Sequence, residues 1–283
     1  MYLIRPLIPQ IFKPVLAILL LALGSEHTLK AANSSPRLRG IAHAAVRVSS
    51  LEKSRAFFGH LGFQQAFVRS ANGHPTESFI KINDRQFIEL YPASNPSQQP
   101  GFMHVCFESS DLEDLRNAYV ARGLTPIHVL RAGAGNLLFT MRGPEDQNLE
   151  YTQYMPGSMH MQDRGNHLGP DRISDHLLAV SVPMQDPVAA RTFYMGKMAF
   201  TTALAPTASL RAGHFWLALP GQDDEFVAIT PRMTNESFEL VFAVPDLRQT
   251  KVRLQALGLH VQRGNGSVAI QDPDGNRLIF VQK

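Results

Sequence analysis

The sequence is poor in several residue types, and each shortage excludes a class of protein. Its one cysteine, Cys106, leaves no partner for a disulfide within the chain, and its place in the strand-like run HVCFES predicts a small buried hydrophobe. Charged residues make up only 18% of the chain, the formal net charge is +3, and the basic residues are scattered. Without a basic stripe, the sequence predicts no nucleic-acid partner. The 44% apolar fraction is typical of a folded globular protein and argues against disorder.

The apolar run from Val15 to Gly24 is too short to span a bilayer comfortably. Arg5 and Lys13 precede this run, and small residues followed by a polar segment close it. This layout predicts a signal peptide and leader over residues 1–32, and a secreted or periplasmic protein without a membrane span after cleavage. The alternative is an uncleaved membrane anchor at the N-terminus.

One order of elements, strand–helix–strand–strand–strand, occurs four times after about residue 39. In the first unit, the strand IAHAAVRV precedes a helix that Ser50 caps and Gly62 ends, and the strands QQAFVRS, SFIKIN and RQFIELYP follow. The second unit has a helix that begins after Asp111, followed by TPIHVL, NLLFTM and QNLEYTQY. Units three and four begin near residues 174 and 238. The repeat predicts an α+β protein built from four βαβββ units.

The four units group into two predicted domains, over residues 38–156 and 173–283. Residues 157–172 between them are rich in Gly, Pro and His and follow neither the helix nor the strand period. This composition indicates an ordered linker or lid. The two linker histidines, His160 and His167, are predicted to be solvated, with a role as ligands as the alternative.

Glu89 is the one acid in the otherwise apolar strand FIELYP. Burying a carboxylate there is costly unless a positive group pairs with it. His43 precedes Glu89 by 46 residues, and His104 precedes Glu150 by the same 46. Two units related by a pseudo-twofold axis would bring these four side chains to one point. Because two imidazoles and two carboxylates suit a divalent cation with open positions for water or substrate, the sequence predicts a metal site at these residues.

The strands that carry these residues resemble those of a known family. Roughly from Arg39 to Lys283, the tandem units resemble the vicinal-oxygen-chelate superfamily, which includes glyoxalase I, extradiol dioxygenases, epimerases, and bleomycin or fosfomycin resistance proteins. IAHAAVRV, FIELYP, MHVCFES and NLEYTQY resemble the four ligand-bearing strands of glyoxalase I. The resemblance implies two half-open β-barrels and one divalent metal (Zn, Ni, Fe(II) or Mn), with Glu150 as the catalytic base and Glu89 as its counterpart.

The second pair of units departs from this ligand pattern. At the positions that correspond to His43, Glu89, His104 and Glu150, in that order, the second pair of units has His176, Ala228, Glu239 and Ile279. Such a set predicts a degenerate vicinal-oxygen-chelate domain that binds no catalytic metal. Units one and two are therefore expected to pair with each other, either within one chain or by exchange across a homodimer.

The resemblance leaves three classes of function for a protein that acts on a small molecule. A lyase or isomerase, acting through an enolate or enediolate on vicinal oxygens, is favoured because two of the four ligands are acids. A ring-cleaving dioxygenase needs Fe(II) with two His and one carboxylate, which His43, His104 and Glu150 supply, leaving Glu89 surplus. The third class is a non-catalytic binding or resistance protein. The predicted export argues against a glutathione adduct as substrate, because that thiol is chiefly cytosolic. Arg47, on the strand of His43, is predicted to be solvated, with contact to an anionic substrate as the alternative.

Overall fold

The computed structural model describes residues 36–95, 97–207, 214–232 and 238–283. The predicted signal peptide and leader, residues 1–32, lie outside the described residues. Within the described ranges, no helix is both long enough and apolar enough to cross a membrane. The predicted α+β fold is confirmed, since two curled eight-stranded sheets carry a few helices.

The N-terminal sheet contains the strands of units one and two, in the order β2-β3-β4-β1-β5-β8-β7-β6. Its strands are β1 Gly40–Val48, β2 Gln64–Ala71, β3 His74–Lys81, β4 Phe87–Pro92, β5 Gly101–Glu108, β6 Leu130–Arg131, β7 Leu137–Arg142 and β8 Asn148–Gln153. β1 pairs with β4 and β5 with β8 in parallel, whereas β1 and β5 pair antiparallel at the middle of the sheet. Units one and two therefore pair within one chain.

The C-terminal sheet repeats this topology in the order β10-β11-β12-β9-β13-β16-β15-β14. Its strands are β9 His176–Met184, β10 Thr201–Thr202, β11 Phe215–Ala218, β12 Phe226–Pro231, β13 Glu239–Val244, β14 Gln262–Gly264, β15 Ser267–Gln271 and β16 Arg277–Gln282. The pairs β9 with β12 and β13 with β16 are parallel, and β9 with β13 is antiparallel. The two sheets thus place equivalent strands at equivalent positions.

One long helix follows the first strand of each unit, and a side chain caps each of them. The helices are α1 Leu51–His60, α2 Leu112–Ala121, α3 Met159–Gln162, α4 Pro187–Gly196 and α5 Leu247–Ala256, with a 3-10 helix at Pro144–Asp146. Ser50 and Asp111 accept hydrogen bonds from the backbone N–H three residues on, as predicted, and Asp186 and Asp246 do the same for α4 and α5. Each cap satisfies a helix N–H that has no partner within the helix.

One predicted strand of unit two is wrong in its extent. TPIHVL was expected to form a strand over residues 125–130, but β6 spans only Leu130–Arg131. Pro126 has no N–H to give to a ladder, which weakens a strand at this place. The segment before β6 is held to β7 by a hydrogen bond from Ile127 N–H to the carbonyl of Thr140 (2.9 Å).

The two sheets share one buried apolar core, which runs from α1 and β1 to β13 and β16. The ring of Phe63, which directly precedes β2, lies at a centroid distance of 5.8 Å from the ring of Phe242 on β13. Beside them, the side chain of Gln86 exchanges two hydrogen bonds with the backbone of Leu177, at 2.9 and 2.8 Å. This satisfied buried amide fixes the register of β9 against the N-terminal sheet.

The linker packs closely against the end of α1. Gly62 ends that helix with a φ of 85°, a left-handed conformation that glycine adopts without strain. A Cβ on Gly62 would lie 2.2 Å from the carbonyl oxygen of Asp171. Only glycine therefore lets the linker approach this turn, and the prediction that Gly62 ends α1 is confirmed.

Candidate metal centre

The four predicted site residues lie on the four central strands of the N-terminal sheet. His43 on β1 and His104 on β5 occupy equivalent positions, 61 residues apart, on the antiparallel central pair. Glu89 on β4 lies beside Ala45 of β1, and Glu150 on β8 lies beside Cys106 of β5, in the same relation. Because strand alternation puts all four side chains on the concave face, the structure brings the whole predicted set together.

The side-chain nitrogens and oxygens of this set converge at short distances. Nε2 of His43 lies 3.2 Å from Nε2 of His104. Glu150 approaches the same two nitrogens at 3.5 Å from His43 and 3.8 Å from His104. Glu89 lies on the other side of His43, with Oε1 at 3.0 Å from Nδ1. His43, Glu89 and His104 form one cluster of possible ligands, and His43, Cys106 and Glu150 form a second.

These residues fit a divalent metal. Ligands that each lie about 2.1 Å from a common centre are separated by roughly 3 to 3.5 Å, the spacing found here between the two imidazole nitrogens. His43, His104 and Glu89 are at most 7% exposed, so these donors are held in place by the surrounding protein. Imidazole with carboxylate suits Zn, Ni, Fe or Mn, and the donor set alone does not select among them.

The two carboxylates of the site have opposite electrostatic character. Although its burial opposes the effect, the contact with His43 lowers the pKa of Glu89 to about 2. Burial, together with the nearby charge of Glu89, raises the pKa of Glu150 to about 7. Burial and repulsion from His43 lower the pKa of His104 to about 3, so this ring is neutral at pH 7 and free to bind metal. The pKa of His43 is instead raised, because Glu89 outweighs the effect of burial.

A chain of polar side chains that the sequence did not predict supports Glu89. Tyr91 donates its hydroxyl to Oε2 of Glu89 at 2.9 Å and also lies against the carboxylate of Glu77. Arg69 in turn donates to Glu77 at 2.8 Å. Burial and the proximity of Glu89 raise the pKa of Glu77 above its ordinary value. Glu89 thus has a partner on each oxygen, His43 on one and Tyr91 on the other.

This support is absent from the other half of the site. The positions equivalent to Tyr91 and Glu77, 61 residues later, are Thr152 and Leu138. In place of such a chain, Glu150 contacts the thiol of Cys106, which occupies the position equivalent to Ala45. Cys106 is fully buried, as predicted, but it lies beside two site residues and is not an ordinary core residue.

A cavity of about 270 Å³ opens on the site. It is lined by three of the predicted residues, by apolar side chains of β3 and β7, and by the linker residue His160. The prediction that His160 is solvated is wrong, because it is only 5% exposed. His167 is instead about half exposed and pairs with Asp163. A histidine between two methionines in a short helix was the available signal for burial.

Two arginines line the cavity, but Arg47 does not. The cavity wall includes Arg69 and Arg131, whereas Arg47 lies outside it. The register shift between Ala45 and Val46 leaves Met103 of β5 without a partner, whereas the pairing of β1 with β4 continues unbroken and puts Arg47 beside Tyr91.

The C-terminal sheet has apolar residues at most of the equivalent positions. The expectation that His176 lies near the position of His43 is wrong. Ser181 pairs with Ala228 as Ala45 pairs with Glu89, so the residue two positions earlier, Ala179, is the equivalent of His43. His176 lies at the start of β9, 3.6 Å from Glu225. Ala179, Ala228 and Ile279 belong to one buried apolar cluster. Among the described residues, both clusters of possible metal ligands lie in the N-terminal sheet.

The comparisons with known proteins agree with this geometry. Residues 40–151 match the family model described as the glyoxalase/bleomycin resistance protein/dioxygenase superfamily. The resemblance to the vicinal-oxygen-chelate superfamily is therefore confirmed over these residues, which include all four predicted site residues. Among the curated proteins, none matches the sequence.

Solved structures share the fold over both sheets. A Mn(II)-bound glyoxalase from Novosphingobium aromaticivorans aligns with a TM-score of 0.63 and 14% identity, covering 87% of this chain and 82% of its own. An extradiol ring-cleaving dioxygenase from B. fuscum aligns with a TM-score of 0.65 and 15% identity, covering 88% and 73%. The 2,3-dioxygenase LapB from Pseudomonas sp. KL28 has a TM-score of 0.61 and 18% identity, covering 88% and 94%. At these identities the likeness shows the fold alone.

Proposed function

We propose that the protein is a divalent-metal-dependent enzyme of glyoxalase-like type, a lyase or isomerase that acts on a small substrate with two neighbouring oxygens. One observation carries this proposal: each of the two units contributes one histidine and one carboxylate to a single buried cluster. His43, His104, Glu150 and Glu89 would hold the metal, with Zn, Ni, Fe(II) or Mn as candidates.

In this proposal the metal, when bound, supplies Lewis acidity toward the two substrate oxygens. Glu150 then moves the proton between neighbouring carbons. In the metal-free protein, burial raises its pKa to about 7, so burial opposes the ionised form and favours a carboxylate that accepts a proton. Its side chain is also more exposed than the other three, at 17%, which leaves it accessible from the cavity.

Glu89 has the complementary role. Its low pKa keeps it ionised, and its contacts with His43 and Tyr91 hold it in one orientation. A carboxylate fixed in this way balances the charge of a metal and orients the imidazole beside it. The cavity of about 270 Å³ restricts the substrate to a small molecule.

An Fe(II)-dependent ring-cleaving dioxygenase is the second candidate, and the contacts of Glu89 favour it. Both oxygens of Glu89 already have hydrogen-bond partners. If Glu89 only orients His43, three ligands remain, namely Nε2 of His43, Nε2 of His104 and the carboxylate of Glu150. Two histidines and one carboxylate are the ligand set of non-haem Fe(II) oxygenases. Two of the similar structures named above are dioxygenases.

Metal analysis and two paired variants separate these candidates. Protein purified without its leader would be assayed for bound metals, for isomerisation, and for oxygen uptake with catechols. For the lyase or isomerase, Glu150→Gln should lower turnover by about two to four orders of magnitude, the usual contribution of a general base. Glu89→Gln should also lower turnover strongly, because it removes a charged metal ligand. For the dioxygenase, Glu89→Gln should keep substantial oxygen uptake, whereas Glu150→Gln should weaken iron binding.

Glu113→Gln on the exposed face of α2 is the matched control, since it removes a carboxylate far from the cavity. Its metal content and turnover should equal those of the wild type. If neither Glu89→Gln nor Glu150→Gln alters metal content or turnover, the proposed metal site is refuted. Export from the cytoplasm and a homodimer remain part of the proposal and rest on the sequence.

A further inference from the structure

His160 is a site-lining residue that does not come from either βαβββ unit. It lies on α3, in the linker that follows β8, and it reaches back to the cavity beside Glu89. Three phenylalanines, Phe67, Phe79 and Phe87, stand edge-on to its ring at centroid distances of 4.9, 5.3 and 4.8 Å. The ring therefore has one orientation, set by packing on three sides.

The hydrogen bonds around Asn136 determine which nitrogen of His160 carries the proton. The backbone N–H of Met155 can only donate, and it donates to Oδ1 of Asn136 at 3.1 Å. The amide of Asn136 must therefore direct its NH₂ group toward His160, where Nδ2 lies 2.9 Å from Nδ1 of the ring. Since Nδ1 accepts this hydrogen bond, the proton of the neutral ring is on Nε2.

The Nε2–H group of His160 is free to donate into the cavity. Among the described residues, Nδ1 makes the one hydrogen bond found for this ring, and Nε2 is not among the fully buried polar atoms that lack a partner. His160 is one of the residues that line the cavity. Burial lowers the pKa of His160 to about 4, so the ring is neutral and holds this single proton at neutral pH.

A buried lysine fixes the linker that carries His160. Lys81 on β3 donates from Nζ to the carbonyl and the carboxylate of Asp163, both at 2.8 Å, and to the carbonyl of Asn166 at 2.7 Å. Asp163 follows α3 directly, and Ser158 caps the other end of the helix. α3 is therefore fastened at both ends, and the position of His160 does not depend on solvent-exposed contacts.

We propose that His160 is a substrate-binding residue supplied by the linker, and that its Nε2–H donates a hydrogen bond to an oxygen of the substrate in the cavity. This inference rests on the proposed function, because it assumes that the cavity holds a substrate whose oxygens contact the metal. A hydrogen bond from this neutral donor would stabilise most strongly the substrate oxygen on which negative charge develops beside the metal. Lys81 and Asn136 are positioning residues, which act through His160.

Two variants of His160 test the hydrogen bond. His160→Gln places an amide NH₂ near the position of Nε2 and keeps a donor, whereas His160→Phe keeps an edge-on aromatic ring and removes it. His74→Gln, on an exposed strand end, is the control. The probe is 4-nitrocatechol, a chromophore with two neighbouring oxygens, titrated into the zinc-loaded proteins and followed by absorbance. Zinc content is measured on the same samples.

We expect all four proteins to bind equal amounts of zinc. The dissociation constant of the probe should rise about tenfold or more in His160→Phe, the usual worth of a hydrogen bond to a charged group, and stay within about threefold in His160→Gln. Unchanged probe affinity in His160→Phe would overturn the inference. A loss of zinc in that variant would also overturn it, since His160 would then be a ligand.

A second measurement decides the tautomer without substrate or probe. Long-range ¹⁵N–¹H correlation spectra of the zinc-loaded protein, with histidine labelled, report which ring nitrogen is protonated, and the signals missing in His160→Gln assign His160. We expect the Nε2–H form, and the Nδ1–H form would refute the donor. If the wild type binds zinc but not 4-nitrocatechol, the proposed chelation of vicinal oxygens is refuted, and the proposed contact of His160 with the substrate is refuted with it. The tautomer of His160 is tested by these spectra alone.

Discussion

Replacing Lys81 by methionine should destabilise the protein strongly. The Lys81 side chain is fully buried, and its ammonium contacts Asp163, Asn166 and Asp84 at 2.7 to 2.8 Å. Methionine keeps most of the apolar stem but removes the charge, so the buried carboxylate of Asp163 loses the ammonium and keeps only its contact with His167. Breaking a buried ion pair from one side costs about 3–5 kcal/mol. The two backbone carbonyls that lose their donor add to this cost, so the free energy of unfolding should fall by at least about 3 kcal/mol.

Urea denaturation of a double-mutant cycle measures this cost. Lys81→Met and Asp163→Asn are each compared with the wild type and with the double variant. The double variant should lose about 2 kcal/mol less than the sum of the two single losses, because the second change removes the charge that the first left unpaired. Lys53→Met, on the exposed side of α1, is the matched control and should change stability by less than about 0.5 kcal/mol.

Two results would refute this reasoning. A loss below about 1 kcal/mol for Lys81→Met would be the value of an exposed ion pair, and it would show that water reaches the ammonium. Strictly additive losses would show that Lys81 and Asp163 act independently. Limited proteolysis offers a separate check. If Lys81 fastens the linker, a protease should cut Lys81→Met within residues 154–172 faster than it cuts the wild type.

The metal content of His104→Ala should fall sharply while that of His176→Ala stays at the wild-type level, as measured by elemental analysis; equal losses would place a ligand in the C-terminal sheet. Because the pKa of Glu150 is raised to about 7, its carboxyl is protonated in the metal-free protein at pH 6. Metal binding at pH 6 should therefore release about one proton more in the wild type than in Glu150→Gln, as counted by calorimetry in two buffers. The same raised pKa stabilises the folded metal-free protein at low pH, and this contribution is lost as pH rises from about 4.5 through 7. N-terminal sequencing of the mature protein should find a start shortly after Gly24 or at residues 31–33, and full-length protein in a cytosolic fraction would contradict export.

The repeat made much of the site predictable from the sequence. The equal offsets from His43 to Glu89 and from His104 to Glu150 required no knowledge of the strands' exact ends, because symmetry carries one unit onto the other. Pairing of units one and two followed from the loss of acids in the other pair. Both inferences depend on counting residues, and counting survives errors of one or two residues in element boundaries.

Other features depend on contacts that sequence periodicity does not encode. His160 lies in a segment without a strand or helix period. Its burial depends on the contact between Lys81 and Asp163, which holds the linker in place and joins two residues that are 82 positions apart in the sequence. The sequence puts His176 near the position of His43 but at a different distance from the following helix, and the ladder shows that Ala179 is the residue in register. Tyr91 looked like a strand aromatic, and only its contact with Glu89 distinguishes it from a core residue.

The two halves of the metal centre share a backbone symmetry that their side chains break. On one side Glu89 is ionised and tied to Tyr91, and on the other Glu150 titrates near neutral pH beside the thiol of Cys106. A fully symmetric cage would accept a two-carbon substrate equally well in either direction. In this site the two halves differ chemically, so a prochiral substrate would present one particular face to Glu150. The proposed reaction should therefore yield a single enantiomer, with its handedness set by which of the two units carries the tyrosine.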